Sequence, residues 1–193
     1  CIYCGATVYS KDRKKLGREH VIPEGLGGTL TISEASCRSC EETINKNFEN
    51  VCQKKMLGPI RYALGLSKNK SVTTLPIDFS NDGVNFTKRH IPLHKAPVFT
   101  TWPIYTEPDI LMARPATGRS MMPTRYWHST GTKEKLEELF NSYDATIIRS
   151  YEVHFSSEPF CRLQAKNAHA YAVYRLGLGK FTPLLLDYIL CRD

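Results

Sequence analysis

The chain has 193 residues, 41% of them apolar and 23% charged, and its 26 Lys+Arg outnumber its 19 Asp+Glu for a formal net charge of +7. That make-up fits one folded domain, or a small module joined to a second layer, and excludes a disordered tail, a collagen-like fibre and a polytopic membrane protein. No apolar run approaches the ~20 residues of a membrane span; the densest, residues 183–190, still contains Asp187. The charge is unevenly placed. Residues 1–70 hold twelve Lys or Arg against seven acids, so most of the excess lies in the first third, and a polyanionic partner is expected there.

There are seven cysteines, and four of them form two Cys-x-x-Cys pairs, Cys1/Cys4 and Cys37/Cys40. An odd total arranged this way speaks for a metal site in a reducing compartment, the cytoplasm, and against a secreted disulfide framework. Four thiolates make the tetrahedral soft cage that structural zinc takes. A redox role needs only one pair, in a thioredoxin-like βαβ context that is absent here. Cys52, Cys161 and Cys191 sit among apolar neighbours and are expected to pack as small hydrophobes. The sequence starts at Cys1 without a methionine, as a piece of a longer chain would, and no targeting segment is legible in it.

In chain order, residues 6–9 read as a short strand leading out of the first cysteine pair, followed by a basic loop over 10–18. Residues 20–22 are β-like and end at Pro23, residues 25–28 (Gly-Leu-Gly-Gly) form a turn, and residues 29–32 are a second strand. From Glu41 onward, Ile44, Phe48, Val51 and Cys52 fall on one face of a helix, with Glu41 and Glu42 suited to its N-terminus. Residues 56–66 are an apolar helical link. Short β-type runs follow at 71–79, 84–92 and 97–105, with Asn81-Asp82-Gly83 as the hairpin turn between the first two. Residues 132–142 are an amphipathic helix N-capped by Thr132, 145–155 a strand, and 160–176 and 182–190 helices. The result is an α+β chain. A zinc-stapled strand–turn–strand–helix module covers 1–56, and a mixed sheet-and-helix body covers 57–193, packed on it to position substrate or recognise a partner.

Between the cysteine pairs lies Arg18-Glu19-His20-Val21-Ile22-Pro23-Glu24-Gly25-Leu26-Gly27-Gly28. With the flanking pairs and the following helix, this segment resembles the HNH endonucleases of the zinc-ribbon kind, over residues 1–49 and more loosely to residue 66. The resemblance implies a ββα-metal module with a structural zinc on Cys1, Cys4, Cys37 and Cys40. It also implies a second divalent cation, Mg²⁺ or similar, and hydrolysis of phosphodiester bonds, with DNA the favoured substrate. His20 matches the general base, and a histidine with an ordinary pKa of ~6.5 suits that role. Glu19 matches the metal-ligand position before it. The family's further ligand, at the start of the following helix, falls on Glu41, with Asn45 one turn later on the same face.

The family's middle Asn has no counterpart, since no Asn lies between His20 and Cys40. That departure, with Glu41 in place of His or Asn, defines an alternative: a catalytically silent zinc module that binds nucleic acid or protein. Arg18, beside the proposed base, with Lys14, Lys15, Arg38 and Lys46, are candidate phosphate contacts, because phosphates need point charges and not base-reading geometry. Plainer readings stand beside these. Glu41 and Glu42 are also ordinary helix-start acids, and residues 11–18 an ordinary solvated loop. His90, His94, His128, His154 and His169 have no ligand spacing and read as structural or surface residues. Tyr105, Tyr126 and Trp127 read as core or interface.

Overall fold

The computed structural model describes residues 1–66, 74–92, 94–96, 99–104, 113, 124–129, 133–150 and 155–192. Its first regular element is an antiparallel pair, β1 (Gly17–His20) and β2 (Thr31–Ser36), with Glu19 opposite Ile32 and His20 opposite Thr31. The register shifts between Gly17 and Glu19, an irregularity that re-aims the side chains beyond it. The connection makes a 3₁₀ turn over Glu24–Leu26 and passes through Gly27 at φ 83°, where glycine carries no side-chain penalty. Gly28 is required by contact instead: a Cβ there would sit 1.9 Å from the Ile22 carbonyl oxygen.

β2 leads into α1 (Arg38–Ile44), and the winding then loosens into π-helical stretches over Asn45–Glu49 and Val51–Met56 before α2 (Gly58–Ala63). Ile44, Phe48, Cys52 and Met56 are all buried. A four-residue repeat overshoots a 3.6-residue turn by about 40° each time, and the wider π turns absorb that drift. The buried side chains therefore stay on one face. Further along come β3 (Thr74–Ser80), β4 (Thr87–Pro92), β5 (Phe99–Ile104), β6 (Thr124–Ser129), α3 (Lys133–Ser142), β7 (Ile147–Ser150), α4 (Ser157–Leu176) and α5 (Leu186–Ile189).

Two units result. One comprises Cys1–Lys68 together with Ser156–Asp193, the other Asn69–Phe155. In the second, β4-β3-β7 form an antiparallel sheet and β5-β6 a separate two-stranded antiparallel sheet. Ile77, Phe79 and Ile91 pack with Leu139 of α3 and with Ala96 and Ala145. The predicted turn is present: Gly83 has φ 74°, and the Asp82 carboxylate accepts from the Val84 and Asn85 amides at 2.9 and 2.8 Å. In the first unit, α4 lies against the π-helical stretches and α5, burying Phe160, Leu163, Ala170 and Val173.

Several expectations are corrected. Residues 6–9 form no strand; Tyr9 and Ser10 donate their amides to Lys14 and Arg13 carbonyls in a local turn instead. The second strand begins two residues later than expected, and residues 182–190 shorten to α5. Cys52 is fully buried, which pushes its thiol up to about 12, but Cys191 is exposed at φ 55° and does not pack as a hydrophobe. The division at residue 56 does not match the two units, because α4 and α5 return to the N-terminal one. β6 has no counterpart in the sequence reading. Thr132, Tyr105 and His154 lie outside the described residues, as do the side chains of Tyr126, Trp127 and His128. Among the described residues no helix is long and apolar enough to cross a membrane.

Candidate active site and metal centre

The cysteine pairs meet because the chain ends that carry them are pinned by backbone. The Ile2 amide donates to the Ala35 carbonyl at 2.7 Å, and the Gly5 amide closes the first turn on the Cys1 carbonyl at 2.9 Å. Cys37 sits extended at the N-terminus of α1, and Cys40 lies in its first turn. All four Sγ atoms lie within 4.8 Å of one another, with Cys4 and Cys37 at 3.6 Å. A tetrahedral zinc with Zn–S bonds of ~2.3 Å sets its sulfurs roughly 3.8 Å apart, so the cage fits. Burial first, and then the neighbouring Cys4 and Cys37 thiols, push the Cys40 thiol well up. Thiols so crowded ionise together only around a cation.

β1 carries the next residues, and strand alternation sends Glu19 and His20 to opposite faces. His20 is half-buried, and its Nδ1 lies 3.3 Å from the Gly28 carbonyl oxygen. A carbonyl only accepts, so this contact assigns the proton to Nδ1 and leaves Nε2 as the basic atom. The turn that supplies the carbonyl is itself tethered. Arg61 of α2 donates through Nε to the Gly25 carbonyl and through Nη1 to the Gln53 carbonyl, the latter at 2.8 Å.

Glu19 points the other way. It is 8% exposed, and its Oε1 lies 2.6 Å from Nζ of Lys166 on α4. Lys166 is fully buried, and its ammonium also reaches Glu49 Oε1 at 2.9 Å and the His20 carbonyl oxygen at 2.6 Å. Three donors thus meet three acceptors. Burial pushes the Glu19 carboxyl up, against the opposing pull of Lys166. Glu19, an expected cation ligand, thus faces Lys166, and its charge is answered from inside the protein.

Glu41 and Asn45 do come together. They line an open groove with Tyr9, Arg38, Glu42, Lys46 and Asn50, and His20 and Glu19 are not part of that lining. The Tyr9 hydroxyl donates to Glu41 Oε2 at 2.9 Å. Of the expected phosphate contacts, Arg18, Lys14 and Lys46 are exposed. Lys15 pairs with Glu34 at 3.0 Å and Arg38 with Glu42 at 2.7 Å, both pairs largely exposed and cheap to exchange. Among the described residues the four cysteines are the one cluster of three or more His, Cys, Asp or Glu arranged to share an ion.

Two cysteine pairs that meet in one cage, with a strand pair between them and a helix after it, form the local pattern expected from the sequence. Residues 1–57 match the family model of an HNH endonuclease. No curated protein and no solved structure matches the chain. The HNH segment thus contains the thiol cage, His20, Glu41 and Asn45, and it stops short of α4, whose contacts with the segment the sequence did not signal. Lys166, Asn167 and His169 all lie on α4. Besides the Lys166 contacts, the Asn167 amide, oriented with its nitrogen toward acceptors, donates to the Val21 carbonyl at 2.8 Å. His169 Nε2 lies 2.9 Å from the Ile2 carbonyl oxygen, within the first cysteine pair, and its ring packs against Tyr3 and Phe181. A lysine, an asparagine and a histidine on a long helix carry no local signal of such a role.

Proposed function

We propose that the chain is a metal-dependent endonuclease that hydrolyses phosphodiester bonds of nucleic acid, DNA in the first place, with His20 as general base. The observation that carries this reading is the hydrogen bond from His20 Nδ1 to the Gly28 carbonyl within a segment matching the HNH family. With Nδ1–H directed at a carbonyl, Nε2 accepts the proton of the attacking water. Glu41 and Asn45, one helical turn apart, offer two hard oxygens to Mg²⁺ or a similar ion, and water and phosphate oxygens complete such shells. That ion supplies positive charge to the scissile phosphate and the departing 3′ oxygen, and the family resemblance implies 5′-phosphate and 3′-hydroxyl products. The four thiolates hold a separate structural zinc, a role that suits a reducing cytoplasm. Exposed Arg18, Lys14 and Lys46 meet phosphates, joined by Lys15 and Arg38 once these exchange their acidic partners.

The test is nicking of supercoiled plasmid by the zinc-loaded protein with Mg²⁺ or Mn²⁺. His20→Ala is expected to lower the rate by about 10²–10⁴-fold while zinc content and thermal unfolding stay as in the wild type. Glu41 bonded to Tyr9 and Glu19 paired with Lys166 favour one other reading, the silent zinc module. Wild-type protein that binds DNA or RNA but cuts neither with any divalent ion would establish it.

A further inference from the structure

We infer that α4 is a working part of the nuclease centre, with Lys166 the positioning residue that holds the backbone carrying His20. The inference rests on the nuclease reading above and extends it beyond the matched 57 residues. Lys166 and Asn167, adjacent on α4, donate to two consecutive carbonyls of the HNH segment, those of His20 and Val21. His169, one turn on, engages the Ile2 carbonyl in the zinc knuckle. One helix therefore grips both the strand that bears the base and the loop that bears the first two thiols.

The ammonium holds the main-chain carbonyl of His20 while the imidazole of the same residue reaches the Gly28 carbonyl. Fixing the peptide and the ring tip together leaves the imidazole little freedom. The two carboxylates anchor the ammonium: Glu19 comes from β1 and Glu49 from the π-helical stretch, so Lys166 is held between the strand and the helix of the HNH segment.

The decisive variant is the full chain carrying Glu19→Gln, Glu49→Gln and Lys166→Met together, which removes the donor without stranding a buried charge. Zinc content and a cooperative melt are expected to persist. Plasmid nicking with Mg²⁺ is expected to lose about 10–100-fold in kcat, with KM moving less than about twofold. The ¹⁵N shifts of the His20 ring should move from the pure Nδ1–H form toward a mixture of tautomers. A folded triple variant with wild-type kcat overturns the inference. Should the triple variant not fold, Lys166→Arg decides, since it keeps a cation facing Glu19 and Glu49 while displacing the donor from the His20 carbonyl. A kcat loss of about tenfold with KM within about twofold, together with His20 ring shifts moving toward a mixture of tautomers, supports the positioning role. Wild-type kcat with unchanged ring shifts overturns it. If the wild type cuts nothing, the nuclease reading fails by itself. The ring shifts still decide the inference then: identical shifts in wild type and triple variant refute it.

Discussion

The thiol cage and the Lys166 node both gather acidic groups within one unit, and they answer the accumulated charge in opposite ways. Cys1, Cys4, Cys37 and Cys40 crowd their sulfurs into one cage, and ionising all four together calls for a cation such as zinc from solution. Glu19 and Glu49 meet over Lys166, a cation the chain provides for itself. The difference teaches how to read an acid beside a candidate base. A carboxylate is available to a metal only where the fold has not already neutralised it, and Glu41, at the edge of an open groove, satisfies that condition better than Glu19. Two adjacent residues of one strand thus serve different ends. His20 faces the Gly28 carbonyl, and Glu19 faces Lys166 in the core.

The strongest way to break the comparison is to remove the external cation. Chelation of zinc, or Cys37→Ser, is expected to abolish cooperative unfolding of the unit formed by Cys1–Lys68 and Ser156–Asp193, because structural zinc sites contribute about 10–16 kcal/mol in small domains. Retained cooperativity in a metal-free sample, seen by calorimetry, would make the thiols dispensable. Removing the internal cation comes next. Lys166→Met strands two buried carboxylates and should cost about 3–5 kcal/mol in urea unfolding, far more than an exposed lysine would. A loss below about 1 kcal/mol would show the node to be solvated.

The smallest effect concerns pH. The folded Glu19 carboxyl titrates above its ordinary value, so the folded chain keeps a proton there that the unfolded chain releases. This group's contribution is fully present below the unfolded pKa and is lost as pH rises through the folded one. Glu19→Gln removes that loss, so the variant should gain on the wild type as pH rises toward neutrality, and the two should converge in acid. Urea melts across pH 4 to 8 check the sign, and a wild type that gains on the variant as pH rises toward neutrality would mean that Lys166 outweighs burial.

What was legible in the sequence was what repeats at short range. Cys-x-x-Cys spacing carried the metal centre, Gly27-Gly28 the turn, Asp82-Gly83 the hairpin, and the Ile44–Phe48–Cys52 series the buried helix face. The strand expected over residues 6–9 failed because alternation in four residues cannot outweigh local amide-to-carbonyl turns at Tyr9 and Ser10. The pairing of Glu19 with Lys166 was hidden for a different reason. The acid's neighbours in sequence give it a ligand's address, while its partner stands 147 positions away on a helix whose polar residues read as ordinary surface. The return of α4 to the N-terminal unit is equally invisible, since local patterning says which face of a helix is apolar and not which partner covers it.

The distance between His20 and Lys166, 146 residues along the chain, also sets an order of events during synthesis. Ribosomes extend a chain at about 5–20 residues per second, so Glu19 and His20 emerge roughly 7–30 s, and Glu49 roughly 6–23 s, before the lysine that will sit beneath them. Over that interval the two carboxylates can only remain hydrated. The strand bearing His20 is complete early in translation, but the node beneath it closes only when α4 has left the ribosome.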